Sequence, residues 1–429
     1  MTDLALCFYG DDFTGSTDAL ANLSAAGLRT LVLFALPPEP ELKRLAGLYD
    51  ALGVAGIARS LPTGEMEAEV RPVFEAFARL RPAVVQYKIC STFDSSPSRG
   101  SIGRACEIGH AVFGACAIPV VAAQPQLGRY TVFGNHFARA GDGAVYRLDR
   151  HPTTSRHPAT PMTEADLVVH LQAQTALPVS GLNRLELDDY AVVAARHAGP
   201  LVLDALDEAD LDRIASLIWS SDDEPTLFAV GSGGLSRALG ARLARQRGPR
   251  RTNGVAPGAA PTGPVLAVSG SCAPQTGAQI GAALDAGWHG VHLPVERLDA
   301  GAAEDGVLAA LRAGRNTLVY TALGARLSAA PVDARAVGTA LGALVRAAVA
   351  RAGVRRVVVA GGDTAGHTMR ALGASGLAYA GSFADGAPLC RLFARDPSLD
   401  GLEVVLKGGQ IGERAFFEHV RNGKHVPAR

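Results

Sequence analysis

The chain has 429 residues, 48% of them apolar and 49 of them glycine, too many for one ordinary core, so two domains of tightly turned α/β structure are expected. Lys plus Arg and Asp plus Glu each total 41, a balance without the basic footprint of a nucleic-acid or anionic-membrane binder. A local pocket for an anionic small molecule remains compatible with that balance. The first apolar run, "LALCFYG" (4–10), reads as a strand that stops on two adjacent acids, Asp11 and Asp12. Helical spacing follows over 16–26 and closes on Gly27, a good residue just past a helix end. "RTLVLFAL" (29–36) and "ALGVAGIA" (51–58) read as strands, 65–81 as a helix and "AVVQYKIC" (83–90) as a strand. A helix over 99–114 leads to a strand in "IPVVAAQ" (118–124). Short continuous apolar runs between amphipathic helices are what a parallel sheet covered on both faces requires.

The middle of the chain breaks this rhythm. In "GRYTVFGNHFARAGDGAVYRLD" (128–149) a Gly-Asp-Gly turn separates two half-alternating runs, which reads as a β-hairpin, and the Pro- and Thr-rich 150–162 reads as an ordered surface excursion. Strands return near 200–205 and 226–231. The aperiodic Gly, Pro and Ala stretch at 247–264 marks the boundary, giving a domain at 1–250, a linker at 251–263 and a second domain at 264–429. Strands in "VLAVSGS", "VHLPV", "NTLVYTAL", "RRVVVAGG" and "LEVVLKGG" then alternate with helices. The expected fold is thus α/β, with two mainly parallel sheets flanked by helices and a β-hairpin excursion in the first domain.

Six cysteines, at 7, 90, 106, 116, 272 and 390, are scattered without CxxC or zinc spacing and read as reduced thiols. No basic segment precedes the apolar start, and no apolar stretch nears the roughly 20 residues of a membrane span. A cytoplasmic protein is the expectation.

Ligands of open parallel sheets bind beyond the carboxyl ends of the strands. In the first half those positions hold Asp11 and Asp12, Arg59 and Ser60, and the loop "KICSTFDSS" (88–96). Two acids, the cations Arg59 and Lys88 and the hydroxyls of Ser91, Thr92, Ser95 and Ser96 suit a small polyhydroxylated acid. A carboxylate beside a substrate hydroxyl can also serve as a general base. The plain alternative for either acid is a helix N-terminus complementing its dipole.

In the second half the loops "SGSCAPQTG" (269–277), "AGGDTAG" (360–366) and "KGGQIG" (407–412) are Gly-rich with small hydroxyls. Such loops let backbone N–H groups approach an anion, and two of them also open a helix. Each alone is a common turn; three on one domain point to nucleotide phosphates. "VGSGGLSRALG" (230–240) half-matches a dinucleotide fingerprint, but Ser236 takes the third glycine position and no ribose-binding acid follows, so tight strand-to-helix packing explains it.

The set "DDFTGSTDAL", "KICSTFDSS", "SRHPATPMTEADLVVHLQ", "VSGSCAPQT", "VVVAGGDTAG" and "VLKGGQIGE", in this order along nearly the whole chain, resembles the four-carbon acid sugar kinases. The resemblance implies a substrate-binding N-terminal domain, a nucleotide-binding C-terminal domain, and ATP-dependent phosphorylation of a terminal hydroxyl. It implies that Asp11, Arg59 and the run Lys88, Ile89, Cys90 and Ser91, with Thr92 beside it, contact the acid sugar. It further implies that Ser269, Gly361, Gly362, Asp363, Thr364 and Gly408 contact ATP. The "ARS" run at 58–60 and the "KGGQIG" run depart from the usual family pattern without removing a needed chemical group.

The expected mechanism is direct transfer in a cleft between the domains, with Mg2+ neutralising the transferring phosphoryl group. Asp12 is the expected base and Asp11 the hydroxyl ligand, though the two can exchange roles. Lys88 clamps the substrate carboxylate or faces the γ-phosphate. D-threonate, going to its 4-phosphate, is the expected substrate, with D-erythronate and 3-oxo-tetronate as alternatives. From other classes, a nicotinamide-dependent hydroxy-acid oxidoreductase and a non-catalytic sugar-acid sensor stay open. The hairpin at 128–149 offers either a homodimer contact or a cap on its own domain.

Overall fold

The structure is a computed structural model and describes residues 4–114, 116–157, 160–219, 225–247, 260–324, 333–384 and 386–424. Contacts divide the chain into two units, Met1–Thr252 and Asn253–Arg429. The expected linker at 251–263 lies outside the described residues except for 260–263.

The first unit contains β1 (Leu6–Gly10), β2 (Thr30–Leu33), β3 (Ala51–Ala55), β4 (Val84–Lys88) and β5 (Ile118–Val121). It continues with β6 (Arg129–Val132), β7 (Asn135–Arg139), β8 (Val145–Arg147), β9 (Ser180–Leu182), β10 (Pro200–Leu203) and β11 (Leu227–Gly231). Its main sheet runs β2-β3-β1-β4-β11-β5-β10-β9, with every pair parallel. Strands β1 to β5 are buried along their whole length, which is why their sequences are mostly apolar, with Thr30, Gln86 and Lys88 as buried polar exceptions. Close packing also dictates two glycines. A Cβ at Gly53 would lie 2.2 Å from Phe8 Cζ, and one at Gly56 would lie 1.9 Å from the Tyr9 ring.

Chain order reverses between β1 and β4: β2 and β3 lie on one side of β1, and the later strands lie beyond β4. This is the position where open α/β sheets bind ligands.

The segment expected as a hairpin is a three-stranded antiparallel sheet, β6-β7-β8. The additional turn falls at Phe133–Gly134, both at positive φ, where the Asp204 carboxylate accepts the backbone N–H groups of both residues. An acid 70 residues away makes this turn, so the local sequence carried little sign of it. The first helix, Phe13–Ala25, starts three residues before the apolar spacing does, because Asp12 caps it.

The second unit contains β12 (Leu266–Ser269), β13 (His289–His292), β14 (Thr317–Tyr320), β15 (Arg356–Ala360), β16 (Ala374–Ala384), β17 (Ala387–Ala394) and β18 (Glu403–Lys407). The order is β13-β14-β12-β15-β18-β17-β16, parallel as far as β18 and antiparallel after it. Here too chain order reverses, between β12 and β15. The long helix Ala334–Ala352 is capped by Asp333 and ends on left-handed Gly353. It lies close against the helix Gly362–Ala371: a Cβ at Gly338 would be 2.3 Å from the His367 Cβ. That contact fixes the helix that follows β15.

Candidate functional site

In the first unit the two strands at the reversal end side by side, with Gly10 paired to Lys88 and the Asp11 N–H donating to the Lys88 carbonyl at 3.0 Å. Asp11 is buried, and Asp12 is the helix cap, its Oδ1 accepting the Gly15 N–H at 2.5 Å. The plain reading of Asp12 as a helix N-terminal acid therefore holds, but its other oxygen is used differently. Arg59 Nη1 lies 2.7 Å from Asp12 Oδ2, while Nε and Nη2 of the same guanidinium donate to both oxygens of Asp11 at 3.1 and 2.7 Å. Arg59 thus forks onto one acid and bridges to the next, a geometry that lysine cannot reproduce. It comes from the turn Ala58–Ser60 after β3, whose backbone Arg59 N–H donates to the Asp11 carbonyl at 3.0 Å. Burial pushes the Asp11 carboxyl above the usual range against the pull of Arg59, and Asp12 adds to the push. Although burial opposes its charge, Asp11 and Asp12 hold the proton firmly on Arg59.

Lys88 is buried, donating to the Ile89 carbonyl at 2.8 Å and pairing with Asp18 Oδ2 at 3.2 Å. Asp18, in the first helix, also accepts from Asn22 Nδ2 at 2.9 Å and from Gln124 Nε2 at 3.2 Å. A Cβ at Gly233 would sit 2.1 Å from Asp18 Oδ2, so the glycine-rich start of the helix after β11 makes room for this acid. Sequence reasoning named Lys88 and missed Asp18. No spacing in the sequence marked Asp18, because Asp11 lies before the helix that carries Asp18.

The loop after β4 is built around a buried Phe93 in the left-handed region, φ 58°. A bulky residue there is strained, and such strain collects at functional loops. The Ile89 side chain is in the core, so only its backbone can face a ligand. Cys90 Sγ lies 2.9 Å from Thr92 Oγ1, which donates to Asp94 at 2.9 Å. The Ser91 carbonyl accepts from His136 Nε2 at 2.7 Å, and His136 Nδ1 is 2.8 Å from the Thr131 hydroxyl. His136 on β7 therefore holds the candidate substrate loop from the small sheet. Complete burial pushes its imidazole down to about 4. No spacing in the sequence marked it.

Asp11, Asp12, Arg59 and Lys88 are thus brought together with the 88–92 loop beside them. In the second unit the three Gly-rich loops leave adjacent strands β12, β15 and β18. The Gly270 N–H donates to the Ala360 carbonyl at 3.1 Å and the Gly361 N–H to the Lys407 carbonyl at 2.9 Å. A Cβ at Gly270 would lie 2.3 Å from Thr364 Oγ1, and one at Gly409 would lie 2.8 Å from Ser271 Oγ. Glycine is what lets the loops meet. Ser269 is buried, with its hydroxyl 3.4 Å from the Ser271 N–H. Gly361 has φ 116° and precedes the helix Gly362–Ala371, which has no side-chain cap; the helix Pro274–Asp285 has none at its N-cap either. Two helix starts with unclaimed N–H groups at the sheet's reversal point suit phosphate oxygens. Asp363 is the second residue of its helix, and its side chain lies outside the described residues. Gly408 opens a loop sewn to the Pro274–Asp285 helix: Thr276 donates to the Gly409 carbonyl at 2.7 Å, and Gln279 Nε2 reaches the carbonyls of 411, 412 and 413. Lys407, buried, donates to Thr276 Oγ1 at 3.0 Å, and burial pushes it down to about 8.

Among the described residues no helix is long and apolar enough to cross a membrane, and all six cysteines are free.

Comparison with known proteins agrees with this division of labour. Residues 6–239 match the model of a sugar-binding N-terminal domain, and residues 266–417 that of a nucleotide-binding C-terminal domain. A 3-oxo-isoapionate kinase of Paraburkholderia graminis is 43% identical over 98% of this chain and 95% of its own length. A 3-oxo-tetronate kinase of Methylobacterium radiotolerans is 35% identical over 96% of this chain and 98% of its own. In structure, a Salmonella typhimurium protein described as a putative tRNA synthase superposes with TM-score 0.78 at 22% identity, covering 99% of this chain and 100% of that one. A Haemophilus influenzae DUF1537 protein gives 0.73 at 22% identity, covering 98% and 100%. These two show the fold alone. The two domain models and the kinase relatives together decide between phosphotransfer and the alternatives open on sequence: this chain is a phosphotransferase of the four-carbon acid sugar kinase family.

Proposed function

We propose that the chain uses ATP to phosphorylate the terminal hydroxyl of a 3-oxo sugar acid. The supporting observation is its 43% identity, over nearly its whole length, to a 3-oxo-isoapionate kinase, with 3-oxo-tetronate kinases next. D-threonate, expected from the motifs, differs from 3-oxo-tetronate by one oxidation at C3. A ketone there only accepts hydrogen bonds, whereas a hydroxyl also donates, so a few polar groups decide the choice.

In this reading Asp12, with its side chain 28% exposed against 4% for Asp11, takes the proton of the attacking hydroxyl. The hydroxyl oxygen bonds to the γ-phosphorus as the bond to the leaving ADP oxygen breaks, and the proton passes to Asp12. Asp11 stays inside and fixes Arg59, which in turn orients the Asp12 carboxylate. In the second unit the N–H groups of Gly362 and Thr364 and of Gln275 and Thr276, with the hydroxyls of Ser271 and Thr364, receive the phosphates. Mg2+ fits this donor set. Among the described residues no three metal-ligating side chains gather, and this ion is commonly held by phosphate and water oxygens, to which Ser271 and Thr364 can add theirs. When bound it neutralises charge on the phosphates.

The test is ADP release with 3-oxo-isoapionate, 3-oxo-tetronate, D- and L-threonate and D- and L-erythronate. Turnover highest on a 3-oxo acid supports the reading. Turnover confined to threonate returns the substrate to the sequence expectation, and silence on all six from protein that binds ATP overturns both.

A further inference from the structure

The cations at the substrate end of the first unit are already committed. Arg59 gives its fork to Asp11 and a third nitrogen to Asp12, and Lys88 is paired with Asp18. Three carboxylates face two cations there, so a further carboxylate arriving beside them gains little and is repelled by the excess acid. The acid group of the substrate needs another partner.

Arg129, the first residue of β6, has the properties of one. Its Nη1 donates to the carbonyls of Leu127 at 2.8 Å, Gly128 at 3.3 Å and Arg139 at 3.1 Å. These bonds fix the guanidinium without neutralising it. Its Nε is buried and has no hydrogen-bond partner. Burial pushes this guanidinium below its ordinary range, and the nearby acidic groups offset that push only in part. The acidic groups it faces are the Cys90 thiol and the Asp94 carboxylate of the candidate substrate loop, and Cys90 is also faced by Arg59. Tyr130, Arg139, His136 and His151 complete its charged and titratable surroundings. Arg59 and Arg129 therefore bear on one loop, Arg59 bonded directly to two acids and Arg129 bonded to backbone carbonyls.

We propose that Arg129 receives the carboxylate of the sugar acid across the 90–94 loop, while the Asp11–Asp12–Arg59 and Lys88–Asp18 groups handle its hydroxyl end. The assignment rests on the sugar-acid kinase reading above. A half-buried guanidinium with an unused N–H gains more from an anion than an already paired one does, since charge-assisted bonds are the strong ones.

The experiment compares the wild type, R129Q and R129K on the acid that is turned over and on its primary amide, a neutral analogue of the same shape. R129Q is expected to raise KM for the acid by about 30-fold, with kcat changed by less than about threefold, and to stop distinguishing acid from amide. R129K is expected to recover part of the acid preference. Equal weakening of acid and amide overturns the proposal and makes Arg129 a brace of the small sheet. An acid preference kept in R129Q also overturns it and places the carboxylate on Arg59 or Lys88. Should R129Q fail to fold, R129K decides: a KM raised at least about fivefold for the acid alone supports the proposal, and anything else overturns it. A wild type that phosphorylates no sugar acid overturns the functional reading, and this assignment falls with it.

Discussion

Lys88 Nζ lies 3.2 Å from Asp18 Oδ2, an ion pair that ties the end of β4 to the second turn of the first helix. The ammonium is 2% exposed and the carboxylate 25%, so most of the desolvation cost falls on the lysine. D18N leaves Lys88 with one carbonyl partner and is expected to cost about 1–3 kcal/mol, less than for a fully buried pair because Asp18 reaches solvent. Urea unfolding checks this, and an unchanged midpoint would show that the Ile89 carbonyl suffices.

Asp12 combines a cap and a candidate base, and D12N separates the two. Asparagine caps a helix about as well as aspartate, so unfolding free energy should fall by no more than about 1 kcal/mol, from the weakened Arg59 contact. Turnover should fall about 100-fold or more if the carboxylate takes the hydroxyl proton. Steady-state kinetics on the folded variant decide, and near-normal turnover would remove Asp12 from that role.

His136 makes the fold sensitive to acid. Buried and held down to about 4, it stays neutral while the unfolded chain takes up a proton below its ordinary value near 6.5. The unfolded state then binds more protons, so stability is complete above pH ~6.5 and declines as pH falls toward 4, by about 3 kcal/mol in total. H136Q should flatten that decline and loosen the 90–94 loop. An identical pH profile in the variant would refute the link.

Lys407 acts at the other end of the scale. Burial holds it down to about 8, against about 10.5 for an exposed lysine. Between those values the unfolded chain carries the extra proton, so this residue makes stability rise with pH across the window, again by about 3 kcal/mol. K407M should be more stable than the wild type at neutral pH, with the difference shrinking toward pH 10.5. Paired denaturation curves from pH 7 to 10.5 measure it, and a constant difference counts against the buried charge.

Gly361 sits at φ 116°, and a Cβ there would lie 3.1 Å from Thr364 Oγ1 and 3.3 Å from the Ser271 nitrogen. G361A is expected to cost about 1–2 kcal/mol and to weaken nucleotide binding at least about tenfold, because the loops must part to admit the methyl group. Calorimetric titration with ADP and separately with the sugar acid tests it. A loss confined to ADP is the expected result, and unchanged ADP affinity would take Gly361 out of the nucleotide site.

Much of the architecture was legible because its causes are local. Alternation of apolar runs and helical spacing is a property of neighbouring residues, and it located the five parallel strands of the second unit. The Ala- and Gly-rich pair β16 and β17 escaped, since "ASGLAYAGSFA" has few of the β-branched residues that mark strands. The three-stranded β6-β7-β8 sheet was half seen: its Gly-Asp-Gly turn is written in the sequence, while the Phe133–Gly134 turn depends on Asp204.

The sequence by itself determined two α/β halves, acids and cations after the strands of one, Gly-rich loops after the strands of the other, and a resemblance specific enough to name the chemistry. Only the tertiary structure decided which charges meet. Arg59 joins Asp11 48 residues away, Lys88 finds Asp18, His136 reaches Ser91 45 residues back, and Arg129 Nε is left without a hydrogen-bond partner. Periodicity reports the face on which a residue lies. Partnership between side chains depends on the order in which strands are laid beside one another, and no window of sequence contains that order.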